Sequence, residues 1–248
     1  MFSSIRQGET YDAGKEIKDW ATAKAVLAAW IPAREVPGPA GILRSQTMPP
    51  IRVTAELKPV KITEPKPGVY VVDFGRNIAG RVEISLTDTK KGAKLTLKHA
   101  EKLDKDGLCD QSELVRHMRQ SRFEEDEYIC AGRPSETWHP RFTYHGFQYV
   151  EVHGLENKSD LGNYRAQVLH TDFESAGRFT SSSELLNKIQ EITLDAFVGN
   201  YHGYPTDCPH REKNGWTGDA HLAACLLYTS DAADEYQRVE LAGGGGAM

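Results

Sequence analysis

Apolar and polar positions alternate in short runs through the middle of the chain. Val69-Tyr-Val-Val-Asp-Phe closes at Gly75, and Gly80-Arg-Val-Glu-Ile-Ser-Leu sets Val82, Ile84 and Leu86 on one side. Ala93 to His99 does the same with Leu95 and Leu97. After a polar stretch at 101–122, the series resumes in Glu127-Tyr-Ile-Cys, Phe142 to Val152 and Arg165 to His170. Short period-two strands separated by Gly and Asp turns predict an antiparallel β-sandwich over 51–172. Phe147 and Tyr149 fall on one side of their strand and are expected to pack against a neighbouring layer. At Gly177 the period changes. Ser181, Ser182 and Ser183 are N-cap candidates, and Leu185, Leu186, Ile189, Ile192 and Phe197 mark one helical face. A second short helix is expected near Gly218, carrying Ala220, Leu222 and Ala223. Ahead of the strands, Trp20, Ala23, Leu27 and Trp30 recur at helical spacing within Lys15 to Trp30. Pro32, Pro37, Pro39, Pro49 and Pro50 then predict an extended linker. The fold class is mixed, β first and α second.

Composition narrows the function classes. With 39% hydrophobic and 26% charged residues the chain is expected to be soluble and globular. No apolar run approaches the roughly 20 residues needed to cross a bilayer, so no membrane partner is expected. The start lacks an apolar signal-peptide core, which points to the cytoplasm. Thirty Lys and Arg stand against 35 Asp and Glu. The densest basic group, Arg116 to Arg122, runs at once into Glu124, Glu125, Asp126 and Glu127, so nucleic acid is not an expected partner. Cys109, Cys130, Cys208 and Cys225 include no C-x-x-C pair and read as reduced thiols, with a structural zinc or a disulfide as the alternative.

The chemistry concentrates between the two predicted helices. Asp207, His210, Arg211, Glu212, Trp216 and Asp219 fall within thirteen positions of a loop punctuated by Pro and Gly. Sugar hydroxyls call for such a set, because carboxylates accept hydrogen bonds, a guanidinium donates in a fixed fork, and an aromatic face packs on ring C–H bonds. A glycosidase also keeps one carboxyl protonated near neutral pH, and Glu212 is the candidate acid. The structural alternative has Asp207 capping a turn, Arg211 pairing with Asp219 and Trp216 in the core. On composition alone that alternative carries more weight.

Thr206-Asp-Cys-Pro-His-Arg-Glu-Lys-Asn-Gly-Trp-Thr-Gly-Asp219 resembles the signature loop of bacterial α-L-rhamnosidases of glycoside hydrolase family 78. Further segments resemble the same family in order: Gly8-Glu-Thr-Tyr-Asp-Ala, Asp73-Phe-Gly-Arg-Asn-Ile-Ala-Gly80, His99-Ala-Glu101 and Phe142 to Val152. The resemblance implies β-sandwich domains ahead of an (α/α)6 barrel and inverting hydrolysis of terminal α-L-rhamnosides, with rhamnose-containing glycosides as partners. It implies Glu212 as general acid and Asp207, Arg211, Trp216 and Asp219 as the lining of the rhamnose subsite. A second carboxylate would activate water roughly 6.5–9.5 Å from the acid. No metal or other cofactor enters that chemistry. His99, Glu101, Asp73 and His145 are expected in turn, packing or interdomain roles, while His117, His139 and His153 receive no function.

The family's general base lies downstream of the signature loop, beyond the residues present. Twelve helices with their loops need on the order of 200 residues, so only the first helices of an incomplete barrel are expected, with little turnover by this chain alone. Cys225-Leu-Leu-Tyr-Thr-Ser-Asp-Ala-Ala-Asp-Glu235 resembles the translation of a transposase-type sequencing-library adapter. The expected divisions are the end of an accessory β-domain with linker at 1–50, a β-sandwich at 51–172, the start of the catalytic domain at 173–224 and an artefactual tail at 225–248. One competing reading is a non-catalytic carbohydrate-binding β-sandwich with a helical appendage. Another is a related (α/α)6 enzyme of different glycoside specificity.

Overall fold

The computed structural model describes residues 1–17, 19–23, 30–38, 40–115, 122–174, 177–216 and 218. Ten strands run in chain order: β1 (Phe2–Ser4), β2 (Gly8–Asp12), β3 (Ile51–Leu57), β4 (Lys61–Lys66), β5 (Val69–Thr87), β6 (Lys94–Ala100), β7 (Glu125–Ile129), β8 (Ser135–Trp138), β9 (His145–His153) and β10 (Arg165–Thr171). Among the described residues two α-helices accompany them, a single turn α1 (Ser112–Val115) and α2 (Glu184–Gly199).

The two segments expected on either side of Gly75 are one 19-residue strand, β5. Asp73 accepts a hydrogen bond from the Gly75 amide at 2.7 Å, Gly75 takes a left-handed φ of 76°, and the ladder to β9 shifts register between Asp73 and Ile78. This irregularity bends β5 without ending it. Its first part pairs with β4 and its last residues, Ile84 to Thr87, pair with β8. β9 and β10 flank it, so all ten strands join in a single curled sheet in which β5 is the hub. Pairing is antiparallel except between β2 and β7. Through that parallel pair the N-terminal hairpin, residues 2–12, belongs to the same sheet as the strands from 51 to 171.

The core lies inside the curl. Val82, Ile84 and Leu86 of β5, Leu95 and Leu97 of β6, Phe147, Val150 and Val152 of β9, and Ala166 and Val168 of β10 are buried together. The alternation read from the sequence therefore marks the inner face, and full burial of each larger side chain contributes roughly 1.5–3 kcal/mol. Phe147 is buried as expected, but Tyr149 is only half-buried, and Val150 and Val152 join the core in its place.

Helix α2 starts where the third serine allows it, with the Ser183 side chain accepting from the Leu186 amide. Only Phe197 of its apolar face is buried, packed among Phe173 and Tyr201. Leu185, Leu186, Ile189 and Ile192 face outward. The helix expected over Lys15 to Trp30 is corrected where it can be followed. Residues 13–15 form a single 3-10 turn, and Asp19 has a φ of 58° and accepts the Thr22 amide in a tight turn. A residue in the left-handed region stops a right-handed helix. Residues 24–29, the second helix near Gly218 and the tail from Cys225 lie outside the described residues.

Candidate active site

The loop after α2 is built around the carboxylate of Asp207. Its Oδ1 accepts the amides of Cys208 at 2.8 Å and Asn214 at 3.0 Å, and its Oδ2 accepts the Trp216 indole at 3.2 Å. The Asp207 amide in turn donates to the Asn214 carbonyl at 3.0 Å, closing residues 207–214 into a ring. Burial works against the anion, but its hydrogen bonds, from Asn214, Cys208 and Trp216, together with the neighbouring Glu212 side chain, hold Asp207 below the ordinary aspartate value.

Glu212 sits at the far side of that ring. Its amide donates to Cys208 Sγ at 3.3 Å and its Oε1 accepts from Arg211 Nη2 at 3.0 Å. The side chain of Trp216 is not in the core; the residue is 54% exposed, and Tyr204 beside Gly215 is similarly open. Asp207, Arg211, Glu212 and Trp216 are thus brought together on one loop, whereas Asp219 lies outside the described residues. The turn-capping role weighed for Asp207 is present as well, and Arg211 contacts Glu212 directly.

The sheet beneath the loop holds a buried charge network. The Lys213 ammonium, fully buried, donates to the Ile5 carbonyl, the Tyr144 carbonyl and Glu124 Oε1, each at 2.6 Å. Glu124 Oε2 accepts the Gly146 amide at 3.1 Å and lies 3.2 Å from His145 Nδ1. His145 Nε2 is 2.8 Å from Asp126 Oδ2, and Asp126 Oδ1 accepts the Glu9 amide at 2.8 Å. Burial disfavours a charged His145, but the carboxylates of Asp126 and Glu124 on either side outweigh it and raise it to about 9. His99, stacked on His145 with ring centroids 4.1 Å apart, is pushed down to about 3 by burial and by the neighbouring His145 charge. Burial would also raise Asp126, yet the His145 cation and its hydrogen bond keep it below the usual aspartate value.

Among the described residues, His99, Asp126 and His145 form the one group whose ligand-type atoms lie within 4.8 Å of one another. The geometry suits an ion poorly. Imidazole binds a metal in its ring plane, and two rings stacked at 23° cannot both direct a lone pair at one ion. The positive charges there are those of His145 and Lys213.

Sequence reasoning missed this layer. Lys213 follows Glu212 directly, and Glu124 and Asp126 lie in an acidic run read only as neutralising Arg116 to Arg122. The strongest available signal was a lysine inside the signature loop. Arg6, whose guanidinium reaches Glu212 from 206 residues away, gave none.

Three family models match consecutive stretches of the chain. They are the alpha-L-rhamnosidase N-terminal domain at residues 1–55, the bacterial alpha-L-rhamnosidase concanavalin-like domain at 63–171, and the bacterial alpha-L-rhamnosidase 6 hairpin glycosidase domain at 174–239. An alpha-L-rhamnosidase of Formosa agariphila is 35% identical over 240 residues, covering 96% of this chain and 25% of the relative. One from Streptomyces avermitilis is 36% identical, covering 93% of this chain and 22% of its own. Among solved structures, the α-L-rhamnosidase from Dictyoglumus thermophilum superposes with a TM-score of 0.83 at 38% identity, over 90% of this chain and 25% of that one. The Streptomyces avermitilis enzyme complexed with L-rhamnose gives 0.82 at 36%, over 90% and 21%. The sheet and the loop thus fall within stretches that models of a glycoside hydrolase family match. The chain belongs to the bacterial α-L-rhamnosidase family, glycoside hydrolase family 78. It spans about a quarter of the length of the curated relatives it matches.

Proposed function

We propose that the chain carries the acid half of an inverting α-L-rhamnosidase site, with Glu212 as general acid and Asp207, Arg211, Trp216 and Asp219 around the rhamnose ring. The observation that carries this reading is the composition of the loop: Asp207 Oδ2 accepts the exposed Trp216 indole at 3.2 Å and Glu212 Oε1 accepts from Arg211 Nη2 at 3.0 Å, within a stretch matched by the hairpin-glycosidase model.

In this mechanism the exposed Trp216 face packs on the C–H side of the sugar and the Arg211 guanidinium donates to its hydroxyls. Glu212 passes its proton to the glycosidic oxygen as the C1–O bond breaks. A water molecule, deprotonated by a carboxylate on the opposite face, adds to C1 and inverts it. That base is assigned to sequence downstream of the signature loop. Helix α2 is read as the first helix of an (α/α)6 barrel, a reading supported by the hairpin-glycosidase match over 174–239. Little turnover is expected from these 248 residues alone, so binding is the informative test. Titrating L-rhamnose into the chain should perturb the Trp216 indole and Glu212 carboxyl resonances, and Trp216→Ala should abolish the effect. Rhamnose binding that survives Trp216→Ala and maps to the sheet alone would favour the non-catalytic binding module. No binding at all would remove the subsite.

A further inference from the structure

We propose that Arg6 and Lys213 are positioning residues for Glu212, so that the N-terminal hairpin is a working part of the site. This rests on the acid role assigned to Glu212. The Glu212 carbonyl receives both Nε of Arg6 at 3.2 Å and Nη2 at 3.0 Å, and the same Nη2 reaches Asn214 Oδ1 at 2.9 Å. One guanidinium therefore spans the two residues that flank Lys213. Between them Lys213 adopts a φ of 53°, a left-handed conformation that a long side chain rarely takes. Such a backbone persists where the surroundings over-determine it. Here they do, since all three ammonium protons meet acceptors, two on the sheet (Glu124, Tyr144) and one on the hairpin turn (Ile5).

The consequence for Glu212 follows from chain geometry. Its amide is held by Cys208 Sγ, its carbonyl by Arg6, and the next side chain is sunk into the sheet. With the peptide fixed at both ends and its neighbour turned inward, the Glu212 side chain is left on the loop side, where its Oε1 accepts from Arg211 Nη2 at 3.0 Å. The hairpin is itself locked to the sheet, because the Glu124 and Glu125 amides donate to the Arg6 and Gln7 carbonyls at 3.1 Å and the Glu9 amide donates to Asp126. A cation from the hairpin thus holds the Glu212 carbonyl, and the cation of the next residue anchors the loop to the sheet.

The test uses the 248-residue chain labelled with 13C at glutamate carboxyls and with 15N. Arg6→Met touches a half-buried side chain whose hydrogen bonds, among the described residues, all go to the loop, so amide resonances of β5, β6 and β9 should stay in place. The Glu212 carboxyl resonance and its titration midpoint should shift, and exchange of the Glu212 amide should accelerate about tenfold as the loop opens locally. Arg6→Lys, which keeps the charge but not the fork, should restore part of the wild-type behaviour. Lys213→Met should give a larger shift; if it fails to fold, the Arg6 pair still decides the matter. An Arg6→Met chain that folds with the Glu212 carboxyl shift, midpoint and amide exchange unchanged would overturn the proposal. An L-rhamnose titration on the same samples separates the two readings, because absence of rhamnose binding in the wild-type chain defeats the subsite while the Arg6 result still stands or falls on Glu212.

Discussion

At position 146 a methyl group has nowhere to go. A Cβ there would lie 2.7 Å from His210 Cβ and 2.9 Å from the His210 amide nitrogen, so strand β9 and the signature loop touch backbone to backbone. Gly146→Ala must displace the loop or bend the strand. It should cost about 1–3 kcal/mol, the usual range for overpacking, read from urea unfolding, and should move the Trp216 resonances; an unchanged midpoint would mean the loop yields freely. Lys213→Met strands Glu124 beside His145 in the interior and should cost more, about 3–5 kcal/mol, on the same measurement. Adding Glu124→Gln to it should recover part of that loss, since the uncompensated carboxylate goes with it. Asp207, Arg211, Glu212 and Trp216 stood out as candidates because their chemistry clusters within one loop of the sequence. Gly146, Arg6 and Glu124 were not, since each matters only through a contact that folding creates across 64 to 206 positions.

Legibility at the scale of elements divides along burial. Strands β5, β6, β7, β9 and β10 were read from their short apolar runs because they line the core; the alternation is regular in β6 and in Gly80 to Leu86 of β5, whereas β9 and β10 bury consecutive residues. Strands β3 and β4 were not singled out; they lie at the margin of the sheet with nearly every residue exposed, so that even the alternation of Ile51, Val53, Ala55 and Leu57 marks no core face. Hairpin β1–β2 escaped because it is short and its buried residues are Gly8 and Glu9, which carry no hydrophobic signal. Helix α2 was legible for the opposite reason. Its apolar stripe is strong, yet only Phe197 is buried within the described residues, against Phe173 and Tyr201. That aromatic contact is the main packing tie of the helix to what precedes it. Phe197→Ala should therefore reduce α2 helicity in circular dichroism while leaving the β signal intact. Ser183→Ala, which removes only the cap, should cost about 1 kcal/mol. Equal losses of helix and sheet signal in Phe197→Ala would show instead that α2 and the sheet unfold as one unit.

The buried network ties hairpin, sheet and loop together, and it makes the stability of the whole molecule depend on pH in two directions. His145 keeps its proton up to about 9 in the folded chain but releases it near the ordinary 6.5 when unfolded. Above 6.5 the unfolded state thus binds fewer protons, and stability contributed by His145 is lost as pH rises through about 9. His99 is the reverse case, neutral when folded down to about 3 and protonated when unfolded below 6.5, so stability falls as pH drops. Depressed carboxylates steepen that acid limb. Burial opposes ionisation of Glu136, but hydrogen bonds from Thr89, Tyr128 and the amides of Arg133 and Ala131 hold it at about 2, and Asp126 is lowered by His145. Urea midpoints measured from pH 4 to pH 10 should accordingly peak near neutrality. The alkaline slope should approach one proton, about 1.4 kcal/mol per pH unit, between 6.5 and 9. In His145→Gln the molecule should be less stable at neutral pH yet lose that alkaline slope, because the titrating group is gone while His99 and the carboxylates remain. A wild-type profile flat from pH 7 to 9, or an alkaline slope that persists in His145→Gln, would mean that His145 does not carry the charge that balances Asp126 and Glu124.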